Sequence, residues 1–167
     1  FVAFNFTVTS EAALLWARDL RAIGPCDVVI GYVDSPSEQQ KRLGESGPVP
    51  AAGVSPEIPA GLKRDLKVQA ARILGTTDFR ITFETSWNNP DTRLAEMARE
   101  EKADLIVVGS HQYHGFERLW HTSVSRGLLH GAGMSVAVVP RSTGPELAMD
   151  TLPKVRRVMV TTDFSPE

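Results

Sequence analysis

A single cysteine, Cys26, stands among 167 residues, so the chain makes no internal disulfide and no cysteine-rich zinc site, and a reducing compartment is its natural setting. Long apolar runs are missing as well; no stretch approaches the ~18–20 residues that span a bilayer. Nor is there an excess of positive charge. Eighteen Lys and Arg face twenty Asp and Glu, and the net charge of -2 argues against a dedicated nucleic-acid binder. No G-x-S-x-G elbow occurs, so the usual mark of a serine nucleophile is absent. What remains is 42% hydrophobic and 23% charged, a globular composition of about one domain's length.

Periodicity divides the chain into alternating strands and helices. Phe1–Phe6 reads as a short strand. Thr9 or Ser10 can cap the helix that follows, with Glu11 in its first turn and Ala13, Trp16, Ala17 and Leu20 on one face. Val28–Val33 has the pattern of a strand buried on both faces. Residues 35–58 carry prolines, glycines and charges without a period, which marks a long surface loop. Leu62, Leu66, Ala70 and Ile73 form a helical stripe that Gly75 stops.

Phe79, Ile81 and Phe83 alternate with Arg80, Thr82 and Glu84, the mark of a half-exposed strand at a sheet edge. Asn89-Pro90 opens a helix whose apolar face holds Leu94, Met97 and Ala98. Leu105–Val108 is a buried strand ending at Gly109, followed by a polar and aromatic loop, a helix near Thr122–His130 and the strand Val136–Val139, closed by Pro140. This order implies an α/β domain: a doubly wound, open parallel sheet of five strands with helices on both faces. Ligands of such sheets sit outside the carboxyl ends of the strands where strand order reverses, which singles out the loops 5–9 and 109–123.

The run Ala103-Asp104-Leu105-Ile106-Val107-Val108-Gly109-Ser110-His111 resembles the signature strand and turn of the universal stress protein family. The similarity continues through Arg118-Leu119, Ser123-Val124 and Val136–Pro140, and Asn5–Ala17 is similar to the family's first loop and helix. The resemblance covers 1–140 apart from the long loop. It implies strand order 3-2-1-4-5, a cytoplasmic location and dimers, and the family includes members that bind ATP and members that do not. Lys154–Glu167 in turn resembles the first strand and turn of another copy of the domain, with 141–153 as linker. A C-terminal extension that happens to form a strand is the alternative.

In ATP-binding members the signature is G-x2-G-x9-G-[ST]: the glycines let phosphate approach backbone N–H groups, and the helix N-terminus adds favourable partial charge. Carried over by position, the implied site comprises Asn5, Val33, Val108, Gly109, Gln112, Gly115, Thr122, Ser123 and Val124. Gln112 and Thr122 replace two of the three glycines, and Asn5 replaces the first-loop carboxylate. A side chain at Gln112 fills space that phosphate needs, and Asn5 hydrogen-bonds without a charge to hold ribose or metal. The expectation is a degenerate site requiring no cofactor; the alternative is a genuine ATP or AMP binder, with Mg, using an altered phosphate loop.

His111, His114, His121 and His130 lie within twenty residues, but no cysteine or carboxylate completes a metal-binding spacing, and solvated or packed histidines are the better reading. Tyr113, Phe116 and Trp120 interleave with them and with Arg118, either as a protein-partner patch or as cover for the sheet. Cys26 reads as an inert core thiol, Glu100 and Glu101 as solvated charge, and Trp87 as a residue over the cleft. Val136–Val139 is an uncharged apolar edge, which pairing with a second copy or a second repeat would cover. The family resemblance implies a non-catalytic regulatory or stress-response module, and the charge balance and missing apolar runs imply no nucleic-acid or membrane partner.

Overall fold

A computed structural model of the chain describes residues 1–36, 38–39, 57–86, 89–110 and 124–140. The elements are β1 (Val2–Ala3), α1 (Val8–Ile23), β2 (Val29–Asp34), α2 (Ala60–Leu74), β3 (Arg80–Thr85), α3 (Pro90–Glu100), β4 (Leu105–Ser110), α4 (Val124–Gly131) and β5 (Ser135–Pro140). All five strands run parallel in the order β3-β2-β1-β4-β5. Both the alternation and the strand order expected from the sequence are therefore present.

Period-two alternation sorts each strand between two cores. Ile30, Tyr32 and Val107 point to the face covered by α1 and α2, where Leu14, Leu66, Ala70 and Ile73 meet them. Val29, Val33, Ile106 and Val108 point to the other face, against Leu94, Met97 and Ala98 of α3 and Leu128 of α4. Leu14, Leu66 and Ile106 are wholly buried. Truncating any of them to alanine should cost about 2–5 kcal/mol, the lost transfer free energy plus a cavity.

Local signals set most of the boundaries. Gly75 takes the left-handed conformation, with φ at 68°, and its N–H bonds the Ala71 carbonyl at 3.0 Å, stopping α2 as its sequence requires. Pro90 sits in the first turn of α3, although the Asn89 side chain makes no capping hydrogen bond. β1 is shorter than the expected 1–6: only Val2 and Ala3 belong to the strand. Phe4 N–H still bonds Gly31 O at 3.0 Å, but Phe6 turns left-handed, with φ at 62°, and leaves the sheet. Cys26 is partly buried beside the α1/α2 core, with its thiol free.

Glu100 and Glu101 are not simply solvated. Glu100 accepts from Arg93 at 3.1 Å and Glu101 from Arg80 at 2.6 Å. Most of the long loop, Trp87, the linker 141–153 and the second-repeat segment 154–167 lie outside the described residues.

Candidate functional site

The chain leaves β1 for α1 on one face of the sheet, while the connection from β4 returns through α4 on the other. Strand order thus reverses between β1 and β4, and the crevice at their carboxyl ends is the place where such sheets take ligands. Asn5 and Gly109 flank it.

The first loop is held by its own hydroxyls. Thr7, not Thr9 or Ser10, caps α1: its Oγ1 accepts from Ser10 N–H at 3.3 Å, and Ser10 Oγ in return accepts from Thr7 N–H at 3.1 Å. Ser10 Oγ also accepts from Asn5 N–H at 3.3 Å and donates to the Thr7 carbonyl at 2.9 Å. Thr7-x-x-Ser10 has the spacing of a capping box with serine in place of the usual glutamate, and that was the signal available in the sequence. The Asn5 side chain is drawn into this network, since its Oδ1 accepts from Thr7 Oγ1 at 2.7 Å. One lone pair of Oδ1 is therefore engaged inside the loop, while Nδ2 makes no hydrogen bond to a described residue and can face a ligand. A left-handed phenylalanine is unfavourable by roughly 1–3 kcal/mol, and edge-on contacts of the Phe6 ring with Phe4 and Tyr32, at 5.3 and 5.9 Å between centroids, offset it.

Gly109 is fixed for a different reason. A β-carbon there would lie 2.1 Å from the Thr9 carbonyl oxygen and 2.9 Å from Ser10 N, both backbone atoms of the first turn of α1. Close packing of β4 against that turn demands glycine whether or not any phosphate ever approaches it. The same turn ties Gly109 to Asn5, so these two expected site residues are brought together.

Val33 and Val108 are buried in the α3/α4 core, and Val124 packs on its margin, so these three share one apolar wall. The Val33 carbonyl already accepts from Ser35 N–H at 3.1 Å. Beside it Asp34, which the sequence reading passed over, is wholly buried at the end of β2, and its carboxylate accepts from Tyr32 Oη at 3.3 Å. Its carbonyl takes Gln39 Nε2 at 3.2 Å. An acid ending an apolar run was the clue to it. Among the described residues no group of three or more His, Cys, Asp or Glu is placed to hold a metal ion. Gln112, Gly115, Thr122 and Ser123 lie outside the described residues, as do Tyr113, Phe116, Trp120, Arg118 and the histidines 111, 114 and 121.

A doubly wound parallel sheet with a glycine ending the strand at its switch point defines an α/β domain of the Rossmann-like, nucleotide-binding class. The family follows from comparison: the model of the universal stress protein family matches residues 1–140, and the chain belongs to that family. Solved structures share the fold at low identity. A universal stress protein in complex with cAMP is 22% identical, with 84% of this chain and 94% of that one covered and a TM-score of 0.57. A family protein from Burkholderia pseudomallei is also 22% identical, covering 83% and 94% with a TM-score of 0.54. The universal stress protein from Archaeoglobus fulgidus in complex with dAMP is 16% identical, with the same coverage and TM-score. No curated protein sequence matches the chain.

Proposed function

We propose that this chain is a non-catalytic regulatory module of the stress response, working in the cytoplasm, whose own nucleotide site is degenerate and which assembles through β5. Asn5 and Gly109 together carry that reading. The amide that replaces the family's carboxylate engages Thr7 through its acceptor, and packing against α1 accounts for the retained glycine. Local hydrogen bonding and packing thus account for both residues without a nucleotide. The replacement of two signature glycines by Gln112 and Thr122 points the same way. A hydrolytic role lacks support, since Asp34, the carboxylate ending β2, is wholly buried and hydrogen-bonded to Tyr32. No described helix is long and apolar enough to cross a membrane.

β5 supplies the assembly surface. Val136, Ala137 and Val138 are partly exposed, β4 pairs with one side of the strand, and no other described strand covers its outer side. A second copy, or a second repeat in the same chain, would satisfy those backbone groups. The patch Tyr113, Phe116 and Trp120 is a further place for a protein partner.

Native mass spectrometry with and without Mg-ATP tests the reading. The expected result is a two-fold assembly without an adduct, and an adduct that appears when Asn5→Asp, Gln112→Gly and Thr122→Gly are combined. One nucleotide per wild-type chain, lost in Ser123→Ala, would overturn the degenerate site. A second reading, binding of an adenosine monophosphate, is favoured by structural neighbours whose complexes hold cAMP and dAMP. A single phosphate asks less of a glycine loop than three do, so the same experiment includes AMP and cAMP.

A further inference from the structure

We propose that the solvent face of α2 is a docking site for an acidic segment of a partner protein, a role independent of the nucleotide site. Its sequence, AGLKRDLKVQAARIL, holds Lys63, Arg64, Lys67 and Arg72 against the lone carboxylate of Asp65. The helix therefore carries net positive charge on a chain whose total is -2. At 100° per residue, Val68 projects directly away from the buried side formed by Leu66, Ala70 and Ile73, with Arg64 and Arg72 one turn to either side of it. Val68 is 62% exposed, an apolar spot framed by cations.

These cations are unusual in the molecule. Arg18, Arg21, Arg80 and Arg93 are tied to carboxylates, and Arg99 donates to the carbonyls of Gly131 and Ala132. Lys63 is engaged with the Phe83 ring, 5.7 Å from its centroid. Arg64, Lys67 and Arg72 make no hydrogen bond or ion pair with any described residue. Their charges are therefore available to a counter-charge on one face of the helix.

The occupant is fixed by what the face combines. Leu62, Leu66, Ala70, Ile73 and Leu74 are spent in the core, and Val68 is the one large apolar side chain the helix exposes, too little to insert into a bilayer. An uncovered valine at the centre gains nothing from phosphates but is the desolvated middle that a protein contact uses inside a charged rim. A helix presenting glutamates around one apolar residue has the matching chemistry.

The test uses the full chain and a labelled helical peptide of about 15 residues with glutamates flanking a central leucine, read by fluorescence anisotropy. Binding should weaken about tenfold in Arg72→Glu and in Arg64→Glu, fall by a few-fold in Val68→Ser, and decline with salt. Lys102→Glu makes the same change of net charge away from α2 and should leave binding unaltered. The proposal is overturned by an absence of binding, by equal losses in Lys102→Glu and Arg72→Glu, or by indifference to the α2 substitutions. Tighter binding of phosphatidylserine vesicles or duplex DNA through the same residues would also overturn it, and would assign the face to a membrane or to nucleic acid. Circular dichroism of each variant confirms the fold.

Discussion

β3 and β5 are the two edges of one sheet, and each leaves one side without a strand neighbour among the described residues. β3 carries charge along its length. Arg80 reaches Glu101, and Glu84 reaches Arg93 at 3.1 Å. Arg93 also holds Glu96 and Glu100, and these bonds, that to Glu96 first, raise the already high pKa of its guanidinium further. β5 has Ser135 and Val139 at the corresponding places and no ionic group at all. Charge along β3 makes pairing with another strand expensive, because each ion would lose water and its partner. β5 has no such guard. The two edges thus differ in their side chains, one lined with ions and the other apolar, and the proposed assembly through β5 rests on that difference.

Transferring charge from one edge to the other should break the contrast. Val138→Lys places a cation in the apolar edge, and the cost of desolvating it should weaken self-association by about two orders of magnitude. Sedimentation equilibrium reads this directly, and an unchanged mass would remove β5 as the assembly surface. The sheet's centre gives a reference that no edge can match: Gly109→Ala drives a methyl group into Thr9 and should cost about 2–3 kcal/mol. Thermal unfolding should then fall by roughly 6–12 °C whether or not nucleotide is present. Stripping the guard from β3 with Arg80→Val and Glu84→Val should create association about tenfold stronger than the wild type shows through that edge. Val138→Lys as background isolates the effect. Arg93→Ala leaves three carboxylates facing one another, for a loss of about 1 kcal/mol in urea unfolding. Asp78→Ala breaks only the exposed pair with Arg21 and should change stability by no more than about 0.5 kcal/mol.

Period and punctuation made most of the fold legible. The apolar runs at 28–33 and 105–108, the stripe of α2 and the stop at Gly75 each report a local physical requirement, so they survive into the structure nearly unshifted. The cap of α1 lies two residues before Thr9 and three before Ser10, because three hydroxyl residues crowd that turn, and only the backbone path after Phe6 decides which of them faces the free N–H groups. β1 was overestimated for the same reason: nothing in Phe-Val-Ala-Phe-Asn-Phe announces that its last aromatic turns left-handed. Glu100 and Glu101 looked like ordinary solvated charge, since their partners Arg93 and Arg80 lie seven and twenty-one residues away.

The candidate site was legible as positions but not as chemistry. The structure brings Asn5 and Gly109 together at the first turn of α1, and what each does there depends on that helix. Residue types and spacing alone determined the alternation and the apolar run of the last strand, because each is a property of neighbours along the chain, while the replaced glycines at 112 and 122 show only against the family's motif. Tertiary structure decided that Gly109 answers to Thr9, that Asn5 answers to Thr7, and that Arg64, Lys67 and Arg72 of α2 have no ionic partner among the described residues while Arg18, Arg21, Arg80 and Arg93 are tied to carboxylates. These depend on which surfaces meet once the two layers of helices close over the sheet, and a spacing along the chain carries no record of that.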